Sequence, residues 1–355
     1  MVVLMILLTI LFFEILFRIF YRLKYGRNYH VSIKFPWKDS HVVPHPFLSF
    51  SYKRNCEINR NQRIPYPIHT NEFFSFKDPL RLNNEGHFGR DLCEPVGKIR
   101  VMCLGASTTA NNISDGKRDY SYPVLLQEKL GDKYEVFNCG IGGWTSVDIL
   151  INFQLNLLKY KPDIIVLYHG YNDLQYHLMH GFLSDYSHGR SNLGEFIHKI
   201  KLSYFLPKFK FWNSYEYVKD KMFGTGNVRN DVMRMINKRE IDYETNYDTL
   251  VYEKSILENL FIICKHHKIE IICGSFVYFN YENTFVSRKL EKGVEIENKN
   301  MKDLSDKYGA KFVDQSKLMP RKKELFVDSV HFTPNGMRHL SNNFFPAVME
   351  VSEYE

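Results

Sequence analysis

From Ile99 onward the chain alternates short, almost uninterrupted apolar runs with longer helical segments, and this alternation limits its folds more than any other feature. The runs are IRVMCLG, YEVFNCG, PDIIVLYHG, IEIICGSFVYF and AKFVDQS. Consecutive side chains of a strand point to opposite faces, so a run apolar at every position is buried on both. That pattern predicts a parallel sheet with helices on either side, an α/β fold. The helices between the runs have recognisable starts. Thr145 or Ser146 can cap one running through Leu158, with Val147, Leu150, Ile151, Leu155 and Leu158 on one face and Asp148 in its first turn. A second is expected from about Val251 to His267, and the last follows Pro334.

The 355 residues suffice for one large α/β domain with extensions. Hydrophobic residues make up 44% and charged residues 25%, which excludes disorder and a multi-span membrane protein. The formal charge of +7 is spread along the chain, which fits a solvated face near a membrane and not a nucleic-acid partner. Six cysteines show no CxxC pair, and four fall in core-like segments, so neither a disulfide framework nor structural zinc is expected. His41 and His45, in HVVPHP, are separated by prolines that prevent a helix from aligning them on a metal.

The opening MVVLMILLTILFFEILFRIF is apolar except for Thr9, Glu14 and Arg18, and residues 1–21 are expected to form a single transmembrane anchor. Glu14 and Arg18, four apart, share a helix face and can pair. No cleavage-site pattern follows, and Arg22, Lys24 and Arg27 come after the run, from which the body of the protein is expected on the cytoplasmic side. An amphipathic helix lying on a surface is the alternative. Residues 25–98 read as an irregular platform of hairpin-like pieces before the main domain at 99–355. Residues 174–243 form an aromatic and basic insertion suited to a lid or substrate wall.

In an open parallel sheet the ligand crevice lies beyond the carboxyl ends of the strands. There the chain places Gly105-Ala106-Ser107-Thr108-Thr109, then Asn138 through Gly143, then Gly170-Tyr171-Asn172-Asp173, and finally FVDSVHFTPNG with Asp328 and His331 three apart. Three readings of the first block compete: a nucleophilic Ser107, a phosphate cradle, or hydroxyls that only cap a helix. The block lacks the glycine and lysine spacing of a P-loop. Acyl transfer to serine needs a base within hydrogen-bond reach, a third group to hold that base, and donors ready for the oxyanion. His331, Asp328, the Ser107 and Gly143 backbone N–H groups and the Asn172 amide can fill those roles.

These four blocks, in this order and at this spacing, resemble those of the SGNH (GDSL-type) hydrolase superfamily. The resemblance covers roughly Ile99 to Asn342, interrupted by the insertion, and NNEGHFGRD ahead of it is similar to a lead-in of membrane-associated bacterial members. It implies a three-layer flavodoxin-like fold, Ser107 as nucleophile, His331 and Asp328 completing the triad, and Ser107, Gly143 and Asn172 as the oxyanion hole. It implies no metal and no cofactor. Gly-Ala-Ser stands here where the family has Gly-Asp-Ser; that aspartate is outside the triad, so the departure touches subfamily and substrate. The function expected is hydrolysis of an acyl ester, O-acetyl above all, on a glycan or lipid. An O-acyltransferase acting on a polysaccharide and a non-catalytic glycan-binding protein remain as alternatives.

Overall fold

The computed structural model describes residues 5, 8, 9, 11–16, 19, 42, 43, 45, 47–58, 63–65, 73–75, 80–110, 120–178, 182–186 and 247–353. The chain divides into two compact units, Met1–Ser40 with Tyr186–Glu240 and His41–Asp185 with Ile241–Glu355. In the first unit the described residues between 5 and 19 are helical. The expected anchor over 1–21 is not among the elements seen, because no helix among the described residues is long and apolar enough to cross a membrane. Of the expected insertion 174–243, only 174–178 and 182–186 are described, so a lid there falls outside the described residues.

The second unit contains all the described strands. Before the main sheet come three small antiparallel pairs: β1 (Val42–Val43) with β2 (Ser51–Tyr52), β3 (Cys56–Ile58) with β6 (Leu80–Leu82), and β4 (Arg63–Pro65) with β5 (Phe73–Ser75). The main sheet is β7 (Ile99–Gly105), β8 (Tyr134–Gly140), β9 (Ile164–Tyr168), β10 (Glu270–Gly274) and β11 (Lys311–Val313), all parallel, in the spatial order β11-β10-β9-β7-β8. Counted by chain order this is 2-1-3-4-5, the flavodoxin-like arrangement, whose switch point lies between β7 and β9. The last two strands are shorter than their apolar runs. After Gly274 the chain leaves the ladder, yet Ser275, Phe276, Val277 and Tyr278 stay buried.

Among the described residues, eight α-helices flank or follow these strands: α1 (Ser107–Ala110), α2 (Tyr122–Leu130), α3 (Ser146–Asn152), α4 (Tyr171–His177), α5 (Leu250–His266), α6 (Phe285–Tyr308), α7 (Gln315–Leu318) and α8 (Pro334–Ser352). The alternation of strand side chains sorts the core into two. Val101, Cys103, Val166 and Ile272 pack with Leu126 of α2 and with Leu340 and Phe344 of α8. Met102, Leu104, Ile165 and Leu167 pack with Ile149 of α3, Leu260 and Phe261 of α5 and Met301 of α6. This is the three-layer arrangement that doubly apolar strands require.

Helix α3 departs from its expected course. It ends at Asn152 and passes through a π-helical turn, Phe153–Leu157, into a 3₁₀ turn, Leu158–Tyr160. The wider π turn shifts the face that points inward, so Ile149, Phe153 and Leu157 are buried while Leu155 is exposed. Helix α6 was not foreseen because its sequence is dense in charge. Thr284 caps it, its hydroxyl accepting from the Ser287 N–H at 3.1 Å.

At the opposite end of β7 from the crevice, Arg100 is buried to 1% exposure and all of its guanidinium is engaged. It donates to Glu135 Oε2 at 2.8 and 3.2 Å, to the carbonyls of Cys93 and Tyr160 at 2.8 and 2.6 Å, and to that of Glu94 at 3.2 Å. It thereby fastens the segment that leads into the sheet. Arg100→Met is expected to lower the unfolding free energy by about 3–5 kcal/mol, because it strands a buried Glu135 and three carbonyls. Urea unfolding followed by circular dichroism measures this, and the Arg100→Met/Glu135→Leu pair should recover part of the loss.

Candidate active site

The register of the sheet brings the strand ends level. Gly105 of β7 faces Gly140 of β8 on one side and Tyr168 of β9 on the other. Helix α1 begins two residues after Gly105 and nests against these ends. A Cβ on Gly105 would meet Thr109 Oγ1 at 2.2 Å and the Tyr168 carbonyl at 2.4 Å, and one on Gly140 would meet the Ala110 nitrogen at 2.4 Å. Ser107 is the first residue of α1, where a backbone N–H has no acceptor within the helix.

The structure brings Ser107, His331 and Asp328 together. The Ser107 hydroxyl lies 2.8 Å from His331 Nε2, and His331 Nδ1 lies 2.7 Å from Asp328 Oδ2. The other carboxylate oxygen of Asp328 accepts from the Val330 and His331 backbone N–H groups at 2.9 and 2.8 Å. Burial would raise the Asp328 pKa, but the His331 hydrogen bond and charge and these backbone donors outweigh it and hold the carboxyl below its ordinary value. An ionised Asp328 can only accept, so Nδ1 carries the imidazole proton and Nε2 is free to accept from Ser107. An antiparallel bridge between Phe326 and Phe332 and the Val327 N–H to His331 carbonyl bond at 2.8 Å close the turn that carries both residues.

Asn172 lines the same pocket as Ser107, and a Cβ on Gly142, the neighbour of Gly143, would stand 3.6 Å from Ser107 Cβ. Gly143 has φ +86°, in the left-handed region that favours glycine, and a Cβ there would stand 3.3 Å from the Phe50 ring. Asn172, in the first turn of α4, donates from Nδ2 to the Trp144 carbonyl at 2.8 Å. That bond orients the amide so that its nitrogen, with a second N–H, is placed beside Gly143's neighbour. A small pocket next to the hydroxyl is lined by Ala106, Ser107, Thr108, Gly170, Asn172 and Phe276, among others.

Sequence reasoning missed the residues that hold this loop, because they come from the platform. Asp148 of α3 accepts from the Ser49 N–H at 2.8 Å and from its hydroxyl at 3.0 and 3.1 Å, while also accepting from the Thr145 N–H at 3.2 Å. The Gly142 N–H donates to the Tyr52 hydroxyl at 3.1 Å, and Trp144 Nε1 donates to the Phe50 carbonyl at 3.0 Å. The Asn-Asn-Glu-Gly-His segment folds on itself, Asn83 Oδ1 accepting from the Glu85 and His87 N–H groups at 3.0 and 2.9 Å. It presents the His87 ring edge-on to Trp144, with centroids 6.3 Å apart. His45 caps its own turn, Nδ1 accepting from the Phe47 and Leu48 N–H groups at 3.2 and 3.1 Å.

Behind the site lies a group of buried ionisable side chains. His169 Nε2 is hydrogen-bonded to Asp173 Oδ2, and Asp173 also accepts from the Ser146 N–H at 2.9 Å and from its hydroxyl. Burial would raise Asp173, but His169 and Ser146 bring it below its ordinary value. Glu253 and Glu297 are pushed well up, first by burial and then by neighbouring carboxylates.

The model of the GDSL-like Lipase/Acylhydrolase family matches residues 103–339. An acetylxylan esterase of Xylanibacter ruminicola is 33% identical over 144 residues, 37% of this chain and 30% of that protein, so the chain spans less than a third of that relative's length. Among solved structures, the acetyl xylan esterase AlAXEase is 17% identical with a TM-score of 0.44, covering 70% of this chain and 100% of its own. A GDSL-like lipase of Bacteroides thetaiotaomicron is 14% identical with a TM-score of 0.45, covering 73% and 93%.

The His87 contact makes a measurable prediction. Burial lowers the imidazole from its ordinary 6.5 to about 4, with Glu85 opposing the shift. Between those values the unfolded chain binds the proton and the folded chain does not, so this contribution to stability is complete above pH 6.5 and falls as pH drops toward 4. By pH 5 the loss is about 2 kcal/mol, at 1.36 kcal/mol per unit. Urea unfolding at pH 7.5 and pH 5 should show it, and His87→Gln should show a correspondingly smaller drop.

Proposed function

Because the chain belongs to the GDSL-like lipase/acylhydrolase family, we propose that it is an ester-hydrolysing enzyme that works through a Ser107–His331–Asp328 triad and an acyl-enzyme. The observation that carries this reading is the hydrogen-bonded chain from the Ser107 hydroxyl through His331 to Asp328. Ser107 Oγ attacks the ester carbonyl as His331 Nε2 takes its proton. The imidazolium then forms beside the ionised Asp328 and returns the proton to the departing alcohol. Water repeats the sequence on the acyl-enzyme. The oxyanion is received by the Ser107 and Gly143 N–H groups and by the second N–H of Asn172, whose first is held by Trp144.

The small pocket beside Ser107 favours a short acyl group such as acetyl. A broad groove with a volume of about 830 Å³ is lined by Tyr52, Arg54, Asn55, Glu85, Asn152 and Asn156 among others, and by Ile141 of the loop that carries Gly143. The polar side chains among its mixed lining, Arg54, Asn55, Glu85, Asn152 and Asn156, offer hydrogen bonds to a glycan, and the acetylxylan esterase relative supports an O-acetylated polysaccharide as the substrate class. The apolar opening of the sequence supports membrane attachment through residues 1–21, with the basic residues after it favouring a cytoplasmic catalytic domain.

Ser107→Ala and His331→Ala should each reduce kcat/KM on a short-chain acyl ester by about three orders of magnitude or more, since triad members act as a unit. Asn172→Ala should cost about 10²–10³ in kcat with little change in KM. A serine-directed phosphonate should label the wild type at Ser107 and leave Ser107→Ala unmarked. A wild-type chain that neither turns over acetyl, butyryl or octanoyl esters nor takes the label contradicts the proposal.

A further inference from the structure

The buried group behind the crevice is composed like a metal site. His169 follows β9, Asp173 lies on α4 and Glu253 on α5, and one ligand atom from each lies within 4.8 Å of the others. All three side chains are buried, Asp173 and Glu253 to 0% and 2% exposure. Glu297 of α6, 5% exposed, stands beside them; a Cβ on Gly170 would approach its Oε2 at 3.3 Å. Both oxygens of Glu297, Glu253 Oε2 and His169 Nδ1 lack a hydrogen-bond partner of good geometry among the described residues, although Glu253 and Glu297 lie close to each other and Glu297 close to the Leu174 N–H. Three carboxylates and one imidazole thus lie together in a buried place.

Unpaired buried carboxylate oxygens are costly, and two remedies exist. A proton shared by the two glutamates satisfies one oxygen of each and leaves the others bare. A divalent cation takes a lone pair from every carboxylate and from the imidazole, and offsets most of the negative charge. We propose that His169, Asp173, Glu253 and Glu297 bind one divalent cation. One imidazole among carboxylates suits a first-row ion such as Mn²⁺ or Zn²⁺ better than Ca²⁺, which prefers oxygen alone. Ligands about 2.1 Å from such an ion stand ~3.4 Å apart in a tetrahedral site.

The role assigned to the ion is structural. Its ligands come from β9's end, α4, α5 and α6, and Asp173 adjoins Asn172 while holding Ser146 at the start of α3. The ion therefore ties the two long helices of one layer to the crevice loops, without touching the reacting atoms.

The full-length chain, purified without a metal-affinity tag, should contain about one equivalent of Mn²⁺ or Zn²⁺ by plasma mass spectrometry. After chelator treatment its Tm should fall by 5 °C or more, and adding back Mn²⁺ or Zn²⁺, but not Mg²⁺, should restore it. Glu297→Gln should stay folded by circular dichroism and need at least tenfold more metal for the same Tm; Glu253→Gln should lose the response. None of these readouts depends on ester hydrolysis. A wild-type chain with no stoichiometric metal and no Tm response to any of the three ions overturns the proposal. So does a Glu253→Gln/Glu297→Gln chain more stable than chelator-treated wild type whose wild-type parent ignores added metal, since that pattern belongs to a shared proton.

Discussion

The close approach of α1 to the ends of β7 and β8 is the constraint on which the crevice depends. Gly105 and Gly140 face each other in register, and neither position has room for a Cβ beneath Thr109 and Ala110. That contact sets where α1 starts, hence where the Ser107 hydroxyl projects. Because β9 pairs with β7 in the same register, Tyr168 is level with Gly105 and the chain beyond it delivers Asn172 to the same crevice. Two glycines and a strand register thus fix three separated segments to within hydrogen-bonding distance, at the switch point where such sheets open to ligands.

Positioning the serine is only half of the arrangement. The loop carrying Gly143 follows β8 without a strand of its own to hold it, and its support is lateral. Tyr52 takes the Gly142 N–H, the Phe50 carbonyl takes the Trp144 indole N–H, and Asp148 clasps Ser49. Trp144 is the joint: buried to 1%, it accepts from Asn172, donates to Phe50 and lies against His87. The segments ahead of the sheet are therefore part of the crevice wall, and they hold the Gly142 N–H and the Trp144 indole of the loop that carries Gly143.

Much of this was legible in the sequence where spacing is short. Uninterrupted apolar runs announced the parallel sheet, and residues just beyond each run were the ones to inspect; the D-x-x-H turn placed its two side chains together because three residues in a tight turn leave little choice. What was not legible depends on long-range contact. Nothing in FLSFSY marks Ser49 and Tyr52 as buttresses of a loop about a hundred residues later. His169, Asp173, Glu253 and Glu297 lie on four elements and become neighbours only when α5 and α6 cover the sheet. The π turn after α3 rotated a helix face that a 3.6-residue period had placed otherwise. The apolar opening reads as a membrane anchor, and it is only partly described.

The clasp between Ser49 and Asp148 spans 99 residues of chain, and it has a direction in time. Synthesis delivers the platform before the sheet, and domains begin folding as they emerge. Leu48, Tyr52 and Leu82 share their core with Ile141, Trp144 and Phe153, so they wait uncovered until β8 and α3 have been made. The wall of the crevice is translated before the sheet and is among the last parts to find its partners, which makes the early chain a client for whatever shields apolar surface in the cell.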